Sequence, residues 1–409
     1  MDTIDVPKPK IAVLSFPGNN CEVESLRALR RNGIEPVFFR WNDDTEKLAD
    51  VDGYFVPGGF SYEDRGRSGM IAGRDALMRF VSDEAAMGKV VIGNCNGAQI
   101  LVESGLIPLG NALDMCLARN LVDSRPVGFL SEWIWITPTC KRDRCAASDW
   151  EGPMHLPIAH GEGRFTTRDP DLYAELRKND QIAFSYCDAN GSVSEQPLCT
   201  PNGSAYAIAG ICNPNGNVIA LMPHPERTEL GDRYFRSIKG WIENTASRTT
   251  RVYAGGTDTR SAVQLAACAP ALQEVFIDTI IVNNEERTVE QAARSLLSSL
   301  RLKQLKYIPV SNPAEYLSHL ANFNPNKEAA YIRRQGRLYR WNPRTKTEDL
   351  SESSVLSGIK LLRRDQPYEA DGDPGICFVM NGVTTQELTS QHVLEFFGNP
   401  HASTLSVLQ

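Results

Sequence analysis

The sequence predicts an α/β fold, with a mainly parallel sheet covered by helices on both faces and a smaller α+β domain after it. Three observations carry this. From Lys10 to about Ile242, short β-rich apolar runs alternate with helical patterns. Three of these runs end in glycine-bearing turns: SFPGNN, VPGGFSYEDRGRSG and GNCNG. Past Glu243 the pattern dissolves into a polar, small-residue stretch, ENTASRTTRVYAGGTDTRS, and a different arrangement begins.

The elements follow in order. KIAVLSF (10–16) reads as a buried strand because its apolar run is unbroken. CEVESLRALRRNG (21–33) has helical spacing and a glycine stop. EPVFFRW, DGYFVPGG and KVVIGNC repeat the theme of a strand running into a turn. Strands alternating with helices imply βαβ units, and in such sheets the loops at the carboxyl ends of strands build the active site. In the second region, EVFIDTIIV reads as a strand, TVEQAARSLLSSLRL as a helix, and KQLKYIPV as a strand. RRQGRLYRWNP suggests an edge hairpin, GICFVMNGV another strand, and TSQHVLEFFG a terminal helix with Ser390 as its N-cap. The expected division is 8–245, a linker over 246–272, and an α+β domain over 273–409. No internal repeat is visible.

Composition narrows the function. The chain has 409 residues, 42% of them hydrophobic and 23% charged, which suits two ordinary globular domains. A net charge of −7 disfavours nucleic acid as a partner. No apolar run is long enough to span a membrane, and the start has no secretory h-region, so the expected location is cytoplasmic. The ten cysteines are then expected to be reduced thiols. Cys140 and Cys145 flank CKRDRC at a spacing wide for a zinc knuckle, with no second pair following, and no metal is expected.

The stretch VVIGNCNGAQIL (90–101) carries the chemistry. A strand-to-helix elbow lifts its central side chain out of the sheet and aims free helix N–H groups at whatever that side chain binds. The positive end of the helix favours a thiolate. Gly93 and Gly97 give room for the turn. Cys95 therefore stands where a nucleophile would. The elbow alone also allows a small buried hydrophobe.

A thiol needs a base. Of six histidines, His224 in NVIALMPHPER follows a strand and stands two residues before Glu226. In an extended segment, stiffened by Pro223 and Pro225, both side chains face one way. Glu226 can then hold the imidazole while His224 polarises Cys95. The Gly-Gly turn at 58–59 suits an oxyanion hole, with one N–H from Gly59 or Phe60 and the other from Asn96. Arg65 and Arg67 read either as anion ligands or as solvated surface groups. Two competing classes are a cysteine hydrolase or chaperone-like relative, which has no need of His224-Pro225-Glu226, and a non-catalytic scaffold, which has no need of the triad.

A Cys elbow, a distant His-x-Glu and a Gly-Gly loop resemble the class I, triad-type glutamine amidotransferases. SFPGNNCE, PGGFSYEDRGRSG, GNCNGAQIL, IAHGEGRF, YCDANG and PNGSAYAIAGICNPNGNVIALMPHPER resemble, more narrowly, the glutaminase-subunit branch found in phosphoribosylformylglycinamidine synthase. The resemblance covers roughly residues 8–245. It implies a flavodoxin-like sheet and glutamine hydrolysis through a cysteine thioester, with the ammonia used in de novo purine biosynthesis. It also implies that Cys95 attacks the glutamine amide, His224 moves protons, Glu226 orients His224, and Gln99 helps hold the substrate. The implied partners are a large synthetase subunit, which uses ATP and Mg and makes formylglycinamidine ribonucleotide, and a small bridging subunit. No cofactor is expected on this chain, which has no G-x-x-x-x-G-K-[ST]. Glu63 replaces a usual glycine, Arg65-Gly66-Arg67 a more apolar turn, Asn94 a small aliphatic residue, and Ala98 a phenylalanine. The β-α-β start of 273–409 suggests a ferredoxin-like unit and, with it, a fused bridging domain; an unrelated docking or oligomerisation module is the competing reading.

Overall fold

The structure, a computed structural model, describes residues 8–110, 112–244 and 264–409. The chain forms two compact units, Met1–Ser261 and Ala262–Gln409.

In the first unit, strands β1 (Lys10–Ser15), β2 (Glu35–Arg40), β3 (Gly53–Val56) and β4 (Val90–Asn94) come first. Helices α1 (Glu22–Arg31), α2 (Met70–Gly73), α3 (Ala76–Ala86) and α4 (Asn96–Glu103) lie between and after them. β5 (Cys116–Arg119) follows, then the small hairpin β6 (Leu121–Val122) and β7 (Arg125–Pro126), then β8 (Leu130–Pro138), β9 (Met154–His160) and β10 (Glu162–Thr166). α5 (Pro170–Lys178), β11 (Ile182–Cys187), β12 (Ile208–Cys212), β13 (Val218–Leu221) and α6 (Asp232–Glu243) complete it.

The main sheet has the order β2-β1-β3-β4-β13-β12-β11-β8-β9. Ala12 and Leu14 pack with α3, α4 and α5 on one face, while Ile11 and Val13 pack with α1 and α6 on the other. Val91 and Ile92 divide in the same way. Two covered faces explain why these strands read as unbroken apolar runs. The parallel arrangement holds from β2 to β13, and the remaining strands pair antiparallel. The reason is visible at β12–β13: residues 213–217 are too few for a crossover, so the chain must turn back on itself.

The second unit contains β14 (Leu265–Cys268), β15 (Gln273–Thr279), α7 (Asn284–Ala293), β16 (Arg301–Pro309), α8 (Pro313–Ser318) and β17 (Glu328–Arg334). It continues with β18 (Arg337–Asn342), β19 (Thr347–Leu350), β20 (Ile359–Asp365), β21 (Gly375–Asn381), α9 (Thr385–Leu388), α10 (Gln391–Phe397) and β22 (Ser403–Leu408). An almost wholly antiparallel sheet with a few helices makes it α+β.

Several details differ from expectation. Of the expected linker, residues 246–263 lie outside the described residues, and Leu265–Cys268 is a strand paired with β22. β15 and β16 are adjacent and antiparallel, with Val275 opposite Ile308, whereas a ferredoxin-like start needs parallel strands with a third between them. A strand-helix-strand pattern fixes the order of elements, not the sense of the second strand. The hairpin β17–β18 turns at Gln335-Gly336, both with positive φ as a type I′ turn requires, but β19 covers it. Ser390 stands at the N-cap of α10 without a side-chain cap bond, and β22 follows that helix.

A repeat also exists that the residues do not show. The sheet order β14-β22-β20-β21-β16-β15-β17-β18-β19 is close to a palindrome about the β21–β16 pair. In each half the first strand (β15 or β20) is central. The second (β16 or β21) lies at the seam, and the third (β17 or β22) lies outside after a helical connection. Hydrogen-bonded backbone sets this order and places little demand on residue identity.

Candidate active site

The elbow lies between β4 and α4. Cys95 has φ 52° and ψ −110°, a strained conformation for a residue with a side chain and typical of a nucleophile turn. Positive φ therefore falls on the cysteine, not on the flanking glycines. Their role is close approach. A Cβ on Gly93 would stand 2.5 Å from the Gly97 carbonyl oxygen, and one on Gly97 only 1.9 Å from the Val56 carbonyl oxygen. Only bare backbone lets α4 start this close to β3 and β4. The Cys95 thiol is 3% exposed and donates to the Ala159 carbonyl at 3.5 Å.

His224 follows β13 and is anchored by its N–H to the Pro157 carbonyl at 3.0 Å. Its Nδ1 lies 2.6 Å from Glu226 Oε1, with both side chains buried. The segment is not extended, as the prolines suggested. Pro225–Arg227 is a 3-10 turn, which curls Glu226 back under the ring. Burial opposes charge on His224, but the neighbouring Cys95 and Glu226 outweigh it and hold the ring well above its ordinary pKa. Burial likewise opposes the Glu226 carboxylate, and the neighbouring His224 keeps it below the usual range.

Gly58 and Gly59 end β3. Gly59 has φ 135° and lies in an isolated bridge with Asn19, where a Cβ would meet backbone at 2.6 Å. The Phe60 N–H donates to the Gly18 carbonyl at 3.1 Å, which removes Phe60 from the two candidate donors and leaves Gly59. Asn96 is the first residue of α4. Its side chain accepts from the Ser61 N–H at 2.9 Å and donates to Gln99 Oε1 at 2.9 Å and to Asp64 at 3.3 Å. Gln99 in turn donates to the Glu162 carbonyl. Both ends of the Gln99 amide thus bind protein, so it braces the loops around the elbow.

The loop tied down by Asn96 is strained. Tyr62, Glu63 and Asp64 have φ 51°, 57° and 54° in succession. Glu63, the expected glycine position, is one of the three. Arg65 pairs with Glu63, and Arg67 makes a bidentate pair with the buried Glu103 of α4, so Arg67 braces the loop on the helix.

Sequence reasoning gave none of four residues a place beside His224. Gly58 lies flat against the histidine, its missing Cβ 2.7 Å from His224 Cε1 and 3.2 Å from Cys21 Sγ. Cys21 Sγ lies within 4.8 Å of a His224 ring nitrogen and accepts from Arg227 Nη2 at 3.0 Å. His160 is buried, and burial together with the nearby His224 pushes it down to about 3, which keeps it neutral. Cys21, His160 and Arg227 all lie within quoted motifs, SFPGNNCE, IAHGEGRF and MPHPER, so the signal was present without a role attached. Among the described residues, Cys21, His224 and Glu226 are one group whose ligating atoms lie within 4.8 Å of one another. The Glu226–His224 bond and the Arg227 guanidinium on Cys21 tie this set together. Cys145 and Cys212 lie in an apolar core, with Cys140 packed against it.

The arrangement can attack a carbonyl with Cys95, move protons with His224, and stabilise an oxyanion at the Gly59 and Asn96 backbone. Residues 8–253 match the family of CobB/CobQ-like glutamine amidotransferase domains. The phosphoribosylformylglycinamidine synthase subunit PurQ of Methanothrix thermoacetophila is 43% identical over 261 residues, 58% of this chain and 100% of that protein. The protein of the same name from Pyrococcus furiosus is 35% identical over 245 residues, 58% of this chain and 99% of its own length. Among solved structures, one described as PurLQS from Thermotoga maritima is 31% identical with a TM-score of 0.47, covering 58% of this chain and 100% of that one.

Proposed function

Because the chain belongs to the family of CobB/CobQ-like glutamine amidotransferase domains, we propose that it hydrolyses glutamine and delivers the ammonia to a synthetase in de novo purine biosynthesis. The observation that carries this is the Cys95 elbow facing a buried His224–Glu226 pair. Cys95 attacks the side-chain amide carbon of glutamine, and the oxyanion is held by the N–H groups of Gly59 and Asn96. His224 passes the thiol proton to the leaving nitrogen and ammonia departs, leaving a γ-glutamyl thioester. Water, deprotonated by His224, then releases glutamate. Glu226 orients the ring throughout.

The relatives of residues 8–253 are named as subunits of phosphoribosylformylglycinamidine synthase, which supports a separate synthetase as the consumer of the ammonia. On this reading ATP and Mg belong to that partner, this chain needs no cofactor, and the reaction takes place in the cytoplasm. The second unit lies beyond the part of the chain these relatives cover, and its antiparallel β15–β16 start removes the ferredoxin-like argument for a fused bridging domain.

The test is mass spectrometry after exposure to a glutamine-mimicking diazo-ketone. One adduct on Cys95, blocked by glutamine, is expected. Labelling spread over several cysteines and unaffected by glutamine would overturn the reading.

A further inference from the structure

We infer that Asn94 is a positioning residue, which holds Glu226 in the orientation that His224 requires. The inference rests on the amidotransferase reading and deepens it. Asn94 ends β4, one residue before the nucleophile, and is fully buried. Its Nδ2 donates to Glu226 Oε2 at 2.9 Å, and its Oδ1 accepts from the Tyr234 hydroxyl at 3.3 Å. Glu226 Oε1 is the oxygen bonded to His224. Each carboxylate oxygen therefore has its own partner, and the carboxylate is fixed in rotation as well as in place.

The mounting is rigid. Asn94 stands opposite Leu221 in the β4–β13 pairing, and the Cys95 N–H donates to the Leu221 carbonyl at 2.8 Å. Nucleophile, base and carboxylate are thereby referred to the same two strands. The Glu226 carboxylate only accepts, so Asn94 must present its NH2 to it, which leaves the amide oxygen to accept from Tyr234 in the first turn of α6. The small aliphatic residue that the resemblance leads one to expect here could not make either bond.

Losing such a bond leaves a buried carboxylate oxygen short of a donor. Glu226 is faced by His224, Arg227 and Tyr234, the Cys21 thiol lies within 4.8 Å of its carboxylate, and Cys95 neighbours His224. Removing the amide donor raises the affinity of Glu226 for a proton, and so weakens its hold on the imidazolium at the acid end of the pH range.

The experiment measures, on the full chain, the rate of Cys95 alkylation by the diazo-ketone between pH 5 and 9, and glutamine turnover with the synthetase present. The variants are Asn94→Leu and Tyr234→Phe. Asn94→Leu is expected to lower kcat about tenfold with KM changed less than about twofold, and to move the acid limb of the alkylation profile to higher pH. Tyr234→Phe is expected to change both in the same direction by less. Wild-type rates and an unmoved profile in both variants would overturn the inference. If Asn94→Leu fails to fold, Tyr234→Phe decides on the same readouts. Failure of the wild type itself to label at Cys95 would count against the amidotransferase reading instead.

Discussion

Gly58 lies so close to His224 that a methyl group in place of its hydrogen would stand 2.7 Å from the ring carbon Cε1. The backbone at Gly58 has no positive φ, so alanine suits the chain conformation there. The clash is with the ring and with Cys21, not with backbone. Gly58→Ala is therefore expected to leave the fold intact and to push His224 off Cys95, lowering kcat about a hundredfold. Steady-state glutaminase kinetics together with a thermal melt check both halves of this.

The His224–Glu226 pair predicts a graded loss. His224→Ala removes the proton carrier and is expected to cost about 10⁴-fold or more in kcat. Glu226→Gln keeps a hydrogen-bonding group under the ring and is expected to cost about tenfold to a hundredfold less than that. Equal losses from the two would mean that Glu226 does more than orient.

Cys95→Ala and Cys95→Ser are both expected to abolish glutamine-dependent amidine formation by the complex, while formation from added ammonia survives. Loss of both activities would contradict ammonia delivery.

Glu63 occupies left-handed backbone, and its side chain is mostly exposed. Glycine there escapes about 1–2 kcal/mol of steric cost and gives back roughly 0.5–1 kcal/mol in unfolded-chain entropy. Glu63→Gly is expected to raise stability by about 0.5–1 kcal/mol, read from denaturant unfolding of the first unit's transition. Asn96 already ties the loop to α4, so activity should change little.

Asp64 supplies a pH signature. Burial, with the neighbouring Glu162 carboxylate adding to it, pushes Asp64 up to about 7 from an ordinary 3.8. Between those values the folded chain holds a proton that the unfolded chain releases, so this group's contribution to stability falls as pH rises from about 4 to 7. Asp64→Asn stays neutral and escapes the loss. Its melting temperature relative to wild type should rise between pH 5 and pH 8, and a constant difference would refute the assignment.

The elbow at Cys95 and the His224–Glu226 pair were legible because each is announced locally. A strand running into Gly-Asn-Cys-Asn-Gly can hardly be anything but an elbow, and His-x-Glu after a strand needs only two residues to be seen. What escaped depends on distance along the chain. Asn94 meets Glu226 across 132 positions, and Arg227 meets Cys21 across 206. Asn94 was noticed only as a departure, and nothing local says what its amide binds. The 3-10 turn at Pro225–Arg227 escaped for another reason: proline suits the first turn of a helix as well as it suits extended chain. In the sheet, apolar runs show that both faces are covered but not which way a neighbouring strand points.

The near-palindromic sheet of the second unit concentrates the joining of its halves in one ladder. They meet along β16 and β21, from Arg301 opposite Asn381 to Tyr307 opposite Gly375. The other strand pairs of β15–β19 and of β20–β22 stay within their own half, so the backbone bonds of this one ladder turn two small sheets into a single one.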